Sequence, residues 1–153
     1  NKWDLVPEGT DPEEFGEYLT RELRGFDYAP IVLVSAESAE GIEDVVSMAF
    51  NLREQAAHRE TTGKLNAIIE SILKQRGPSS RLGTQAKLLY VSQVAVDPPT
   101  IAMVVNDPKL FEGRYERYLM NRLREEMPYS EVPIRLLFSK RTRKSLQDLK
   151  TRQ

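Results

Sequence analysis

Pro30-Ile31-Val32-Leu33-Val34-Ser35-Ala36 is the stretch from which the fold of the first third of the chain is read. Four consecutive apolar residues, three of them β-branched, sit behind a proline. Such a continuous run predicts a strand buried on both faces of a parallel sheet. It runs directly into Ser35-Ala36, a small and polar exit. Upstream, Asp11-Pro12 reads as an N-cap with proline in the first turn, and Glu13 and Glu14 suit the positive end of a helix. Phe15, Tyr18, Leu19, Leu23 and Phe26 then recur at helical spacing, with an end near Gly25. Downstream, after a polar turn containing Gly41, Ile42, Val45, Val46, Ala49, Leu52 and Ala56 make a second amphipathic helix. Helix, buried strand, helix is a piece of an α/β fold.

From Arg59 to Thr62 the periodicity breaks, which places a boundary after His58. Thr62 is suited to cap a new helix with an apolar stripe of Leu65, Ile68, Ile69, Ile72 and Leu73, closed by Gly77-Pro78-Ser79-Ser80. Gln85 to Val96 and Thr100 to Asn106 read as two antiparallel strands. Between them Asp97-Pro98-Pro99 removes backbone donors and breaks the pairing. Tyr115, Tyr118, Leu119 and Leu123 mark a helix with Arg114, Arg117, Arg122 and Arg124 interspersed; Pro128 ends it. Pro133 introduces a last strand, Ile134 to Phe138. The order after the boundary is therefore α-β-β-α-β, followed by a basic tail carrying Lys140, Arg141, Arg143, Lys144, Lys150 and Arg152.

Composition narrows the chemistry. The 153 residues contain no cysteine and one histidine, His58, so disulfide frameworks and thiolate metal sites are excluded and Ser-His catalysis or a histidine-rich metal site is disfavoured. His58 itself reads as a surface or linker residue. No signal peptide and no membrane-spanning apolar run is present, so a cytoplasmic protein is expected. The net charge of −1 conceals an asymmetry: residues 1–58 hold 13 acidic and 4 basic residues, and the remainder holds 10 acidic and 18 basic. A basic half of this kind faces an anion such as RNA, or faces the acidic half itself.

The chemistry-bearing motif is Asn1-Lys2-Trp3-Asp4, which matches the Asn-Lys-x-Asp arrangement with which Ras-like GTPases select guanine. Guanine presents N1–H and an exocyclic amine on one edge, and the two oxygens of one carboxylate, here Asp4, accept both hydrogen bonds. Asn1 is expected to bridge toward N7 and O6 while tethering neighbouring loops, and the Lys2 stem to lie across the base. Adenine offers the reverse pattern and leaves a buried Asp4 unpaired, a defect of about 3 kcal/mol or more. Ser35-Ala36 is the second loop, expected to supply a backbone N–H to guanine O6. Both segments would sit at the carboxyl ends of adjacent parallel strands, where α/β sheets bind ligands. Trp3 reads as packing, as do Tyr115 and Tyr118 in preference to an RNA stacking platform. Nowhere does the chain contain G-x-x-x-x-G-K-[ST], the loop that cradles phosphates and supplies a magnesium ligand. This chain by itself is not expected to hydrolyse GTP.

With these residues in place the sequence resembles the double-domain GTPase family known as Der or EngA, two GTPase domains in tandem followed by a KH-like domain. The resemblance rests on Asn1-Lys2-Trp3-Asp4 and Ser35-Ala36 in the first part. Further on it rests on Leu65-Asn66, Tyr90 with Gln93, Pro98-Pro99-Thr100, Asn106, Tyr115 with Arg117-Tyr118-Leu119, Arg122-Leu123-Arg124 and Pro133-Ile134-Arg135. Glu131-Val132 stand where members usually have Gly-Thr. The KH-bearing GTPase Era differs: its KH domain resembles those that grip RNA with a G-x-x-G loop, and among Gly63, Gly77, Gly83 and Gly113 no two are three apart.

The resemblance implies a truncated P-loop GTPase domain of α/β class over residues 1–58, its C-terminal part. An α+β KH-like domain over 59–140 and a basic tail over 141–153 follow it. It implies guanine recognition by Asn1, Lys2, Asp4, Ser35 and Ala36, with GTP or GDP as ligand and magnesium held through residues absent here. It also implies a role in assembly of the large (50S) ribosomal subunit, with that subunit, its rRNA and the protein's own upstream GTPase domains as partners, and no DNA or membrane. Lys140, Arg141, Arg143 and Lys144 are the candidate RNA contacts. The alternative is a non-catalytic RNA-binding or protein-interaction module in which the GTPase remnant is scaffold.

Overall fold

A computed structural model describes residues 1–78 and 85–141. The chain divides into two compact units, Asn1–Gln55 and a second beginning at Ala56.

The first unit carries a short 3-10 turn at Trp3–Leu5 and helix α1, Pro12–Glu22. As the sequence implies, Asp11 caps α1 by accepting the Glu13 N–H at 2.9 Å. Helix α2 spans Ile42–Ala57. The strand expected at Ile31 to Val34 is not formed. These residues belong to no strand, none of the four is buried, and Ile31 is 42% exposed. A strand is held by the ladder to its neighbours, and the strands among the described residues all lie in the second unit. With no sheet to cover them, Leu23, Phe26, Val45, Val46 and Phe50 are exposed too. Trp3 packs against Phe15, ring centroids 5.6 Å apart.

In the second unit the expected α-β-β-α-β order is realised as α3 (Thr62–Gln75), β1 (Leu88–Ala95), β2 (Thr100–Val105), α4 (Arg114–Glu126) and β3 (Arg135–Lys140). The cap of α3 is Thr61, which accepts the Lys64 N–H, and not Thr62, which is the first helical residue. The boundary moves by one because Thr61 has extended backbone and a side chain placed over the first turn. The sheet order is β1-β2-β3, with β1 antiparallel and β3 parallel to β2. Val96 to Pro99 form the turn between β1 and β2, and pairing resumes at Ala95 opposite Thr100. Beyond the far end of the ladder Asn106 extends it: its side chain accepts the Lys87 N–H at 2.8 Å and donates to the Gln85 carbonyl at 2.7 Å.

The core lies between one face of this sheet and the two helices. Leu65, Ile69 and Ile72 of α3 and Leu119 and Leu123 of α4 are buried with Val91, Ile101, Met103, Val105 and Leu136. Phe111 closes one end, its ring 5.6 Å from that of Phe138. At the turn containing Glu131-Val132, Arg124 donates to the carbonyls of Tyr129 at 2.9 Å and Val132 at 2.6 Å.

One polar side chain is buried in that core with all its capacity used. The Gln93 carbonyl oxygen accepts from the Glu60 backbone N–H at 2.7 Å and from the Tyr129 hydroxyl at 3.1 Å. Its amide donates to the His58 carbonyl at 2.8 Å and to that of Ala95 at 3.3 Å. Segment 58–60 is thereby fastened to β1. His58 is partly exposed and rests edge-on against Tyr129, ring centroids 5.7 Å apart, a packed linker residue. Burial raises the Tyr129 hydroxyl to about 12, helped by the charge of Glu60 and opposed by the Gln93 hydrogen bond. Glu60 is held down to about 2, first by the hydrogen bond from Lys64 at 2.8 Å and next by the Thr61 N–H.

Replacing Gln93 by Leu strands the Tyr129 hydroxyl, the Glu60 N–H and the His58 carbonyl. The expected cost is about 3 kcal/mol of unfolding free energy in urea titration; a change below about 0.5 kcal/mol would show the network to be incidental. For Glu60 the pH sign follows from its direction. The carboxyl titrates lower in the fold than its ordinary value of 4.5, so its stabilisation is present above that value and is lost as pH falls toward about 2. The stability difference between wild type and Glu60→Gln, measured by denaturant titration, is expected to be constant near neutrality and to shrink across that window.

Candidate functional site

The Asn1–Asp4 and Ser35–Ala36 segments, 31 residues apart at Asp4 and Ser35, are brought together within the first unit. The backbone hydrogen bond from the Trp3 N–H to the Val34 carbonyl, 2.9 Å, sets the alignment. The Ser35 hydroxyl donates to Asp4 Oδ1, and Asn1 Oδ1 accepts the Ala36 N–H at 3.1 Å and the Lys2 N–H at 2.7 Å. Lys2 takes the left-handed conformation, φ 67° and ψ 37°, so that the chain turns sharply between the Asn1 and Asp4 side chains.

Ser35 is the one fully buried residue of this cluster, and its hydroxyl works in both directions. It donates to Asp4 and accepts the Ser38 N–H at 3.2 Å, while its own N–H bonds the Glu40 carbonyl at 3.0 Å. The loop closes on Gly41, where φ is +71° and an added Cβ would lie 2.5 Å from the Leu33 carbonyl oxygen. Only glycine fits that approach. Gly41 in turn starts α2, its carbonyl accepting the Val45 N–H at 3.1 Å.

Asn1, Lys2, Asp4 and Ala36 remain exposed around this buried hydroxyl. The Asp4 carboxylate is an anchored acceptor with a second oxygen to spare. The Ala36 N–H is a donor now met by the Asn1 side chain. An anchored carboxylate beside a backbone N–H is a donor–acceptor set of the right kind for the guanine edge. The Asn1 side chain ties the two segments together through the Ala36 N–H. The role of Ser35 as a buried prop for Asp4 is a feature that sequence reasoning missed, since the order Ser-Ala does not say which way the hydroxyl points. No cluster of three or more His, Asp or Glu suited to a metal occurs among the described residues.

Of the basic candidates, Lys140 ends β3 and Arg141 follows it, both exposed. Arg143 and Lys144 lie outside the described residues. Among those described, no helix is long and apolar enough to cross a membrane.

Comparison with known proteins bears on both units. Residues 59–139 match the family described as "KH-domain-like of EngA bacterial GTPase enzymes, C-terminal". The chain is also similar to proteins named GTPase Der. With that of Rhodopirellula baltica it shares 34% identity over 143 residues, 94% of this chain and 32% of the relative. With that of Halothermothrix orenii it shares 34% over 143 residues, covering 93% and 33% respectively. With that of Desulforapulum autotrophicum it shares 37% over 145 residues, covering 94% and 30%. The chain thus spans about a third of the length of the curated relatives it matches. The α-β-β-α-β unit and a similarity that runs across both units establish that this chain belongs to the Der/EngA GTPase family.

Proposed function

We propose that the first unit is the guanine-selecting end of a GTPase domain and that the second is the KH-like domain that follows it in a longer protein. The observation that carries this reading is the anchored Asp4 carboxylate, tied to Ser35 and set beside the Ala36 N–H. In it, Asp4 accepts from guanine N1–H and the exocyclic amine, the Ala36 N–H transfers from Asn1 to guanine O6, and the Lys2 stem covers the base. Ser35 holds the carboxylate in place. Bound GTP supplies the phosphoanhydride that the whole protein hydrolyses; phosphates, magnesium and attacking water are handled by residues outside this chain. On the same reading the protein acts in the cytoplasm in large ribosomal subunit assembly, with that subunit and its rRNA as partners. The tail from Lys140 contacts rRNA.

In the full-length protein, Asp4→Asn is expected to weaken GTP binding by about 100-fold and to favour xanthosine triphosphate, whose O2 accepts where guanine donates. Equal GTP affinity in that variant, measured by fluorescent nucleotide titration, would show that Asp4 does not touch the base. Neutralising Lys140, Arg141, Arg143 and Lys144 is expected to weaken ribosomal subunit binding and to flatten its salt dependence. Subunit binding unchanged across a salt series would remove the tail from the interface.

A further inference from the structure

The loop from Ser35 to Gly41 bends back onto the segment that delivers it. Four glycines among the described residues have positive φ: Gly9, Gly25, Gly41 and Gly113. At Gly9, Gly25 and Gly113 an added Cβ would meet nothing within 4 Å. At Gly41 it would lie 2.5 Å from the Leu33 carbonyl oxygen and 3.1 Å from Val34 Cγ1. The nearer atom is backbone, so it cannot swing aside as the tip of a side chain would.

The backbone that Gly41 abuts carries the whole Asp4 cluster. Val34 follows Leu33, and its carbonyl accepts the Trp3 N–H at 2.9 Å, which aligns Asn1–Asp4. Ser35 comes next and props Asp4 through its hydroxyl, and the Ala36 N–H meets Asn1 at 3.1 Å. On the other side of the contact, the Glu40 carbonyl accepts the Ser35 N–H at 3.0 Å, and the Gly41 carbonyl accepts the Val45 N–H at 3.1 Å in the first turn of α2. The start of α2 and the backbone of 33–36 therefore meet where a side chain at 41 would stand. Any larger residue forces the two apart.

We propose that Gly41 is a positioning residue for guanine selection, a step that rests on the guanine reading of Asp4. The close approach at 41 lets α2 hold Ser35 where its hydroxyl fixes the Asp4 carboxylate, with the Ala36 N–H at a set spacing beside it. Guanine's exocyclic amine is the group that senses this most, because Asp4 is its acceptor in that reading. A carboxylate displaced by about 1 Å loses much of such a contact.

The test compares GTP with inosine triphosphate, which lacks the exocyclic amine, by competition against a fluorescent nucleotide in the full-length protein. Asp4→Asn, measured alongside, marks the signal that belongs to this pocket. Wild type is expected to prefer GTP by about 10-fold or more, the worth of a hydrogen bond to a charged acceptor. In Gly41→Ala, GTP is expected to bind about 30-fold more weakly and the preference to fall to about 2-fold. A misfolded fraction lowers the number of sites and leaves the ratio of the two affinities alone, so the ratio reads positioning and not stability. Gly25→Ala is the control: φ there is +88° with nothing within 4 Å, so it adds backbone strain without the contact and is expected to keep the wild-type ratio. Gly41→Asn tolerates left-handed backbone but brings the same Cβ, and is expected to lose the preference as Gly41→Ala does. Because Gly41 acts through Ser35, the losses in Gly41→Ala and Ser35→Ala are expected not to add in the double variant. The proposal is overturned if Gly41→Ala keeps the wild-type ratio, if Gly25→Ala loses it equally, if Gly41→Asn restores it, or if the losses of the double variant are additive. Asp4→Asn changing both affinities while Gly41→Ala changes neither would overturn the role of Gly41 alone. Asp4→Asn changing neither would overturn the guanine reading and the role of Gly41 together.

Discussion

Every residue of β2 is buried, and the packing of the second unit depends on that one strand. β2 pairs on both edges, antiparallel with β1 and parallel with β3, so its backbone polar groups are satisfied by ladders while its side chains leave water on both faces. An apolar run becomes a central strand only when it has neighbours on either side. Thr100 to Val105 has them, and the helices α3 and α4 find a surface to cover as a result. Ile31 to Val34 has an equally apolar sequence and no ladder. It stays partly exposed, as do the helices that its sheet would carry.

The buried amide of Gln93 plays a complementary part. Hydrophobic burial is non-directional and does not say where the chain leading into α3 must lie. Gln93 does, because its four hydrogen bonds reach His58, Glu60, Ala95 and Tyr129. An alternative placement of that segment would leave buried donors and acceptors unmatched. The fastened segment, 58–60, spans the start of the match to the KH-like family at residue 59.

In the first unit the organising group is the Ser35 hydroxyl. It is buried among groups that are mostly exposed, and it couples the Asp4 carboxylate to the loop that ends at Gly41. The geometry makes an exposed acceptor rigid without burying it. One Asp4 oxygen is anchored by the Ser35 hydroxyl, and the other has no hydrogen-bond partner among the described residues.

Periodicity, proline placement and capping residues determined the helices and the α-β-β-α-β order, because these signals are local: Asp11 caps α1, Pro128 ends α4 and Pro98-Pro99 separates β1 from β2. That Asn1–Asp4 and Ser35–Ala36 lie together was legible too, and the structure joins them through Ser35 to Asp4 and Ala36 to Asn1. Non-local matters were decided by the tertiary structure alone. It decided that Ile31 to Val34 forms no strand, since pairing needs partners that the run itself does not encode. It decided that Gln93 is a buried junction and not a surface amide, and that the Ser35 hydroxyl faces Asp4. It also separated the arginines of α4 into two used internally and two left to solvent, a division that depends on which carboxylates and carbonyls folding brings within reach.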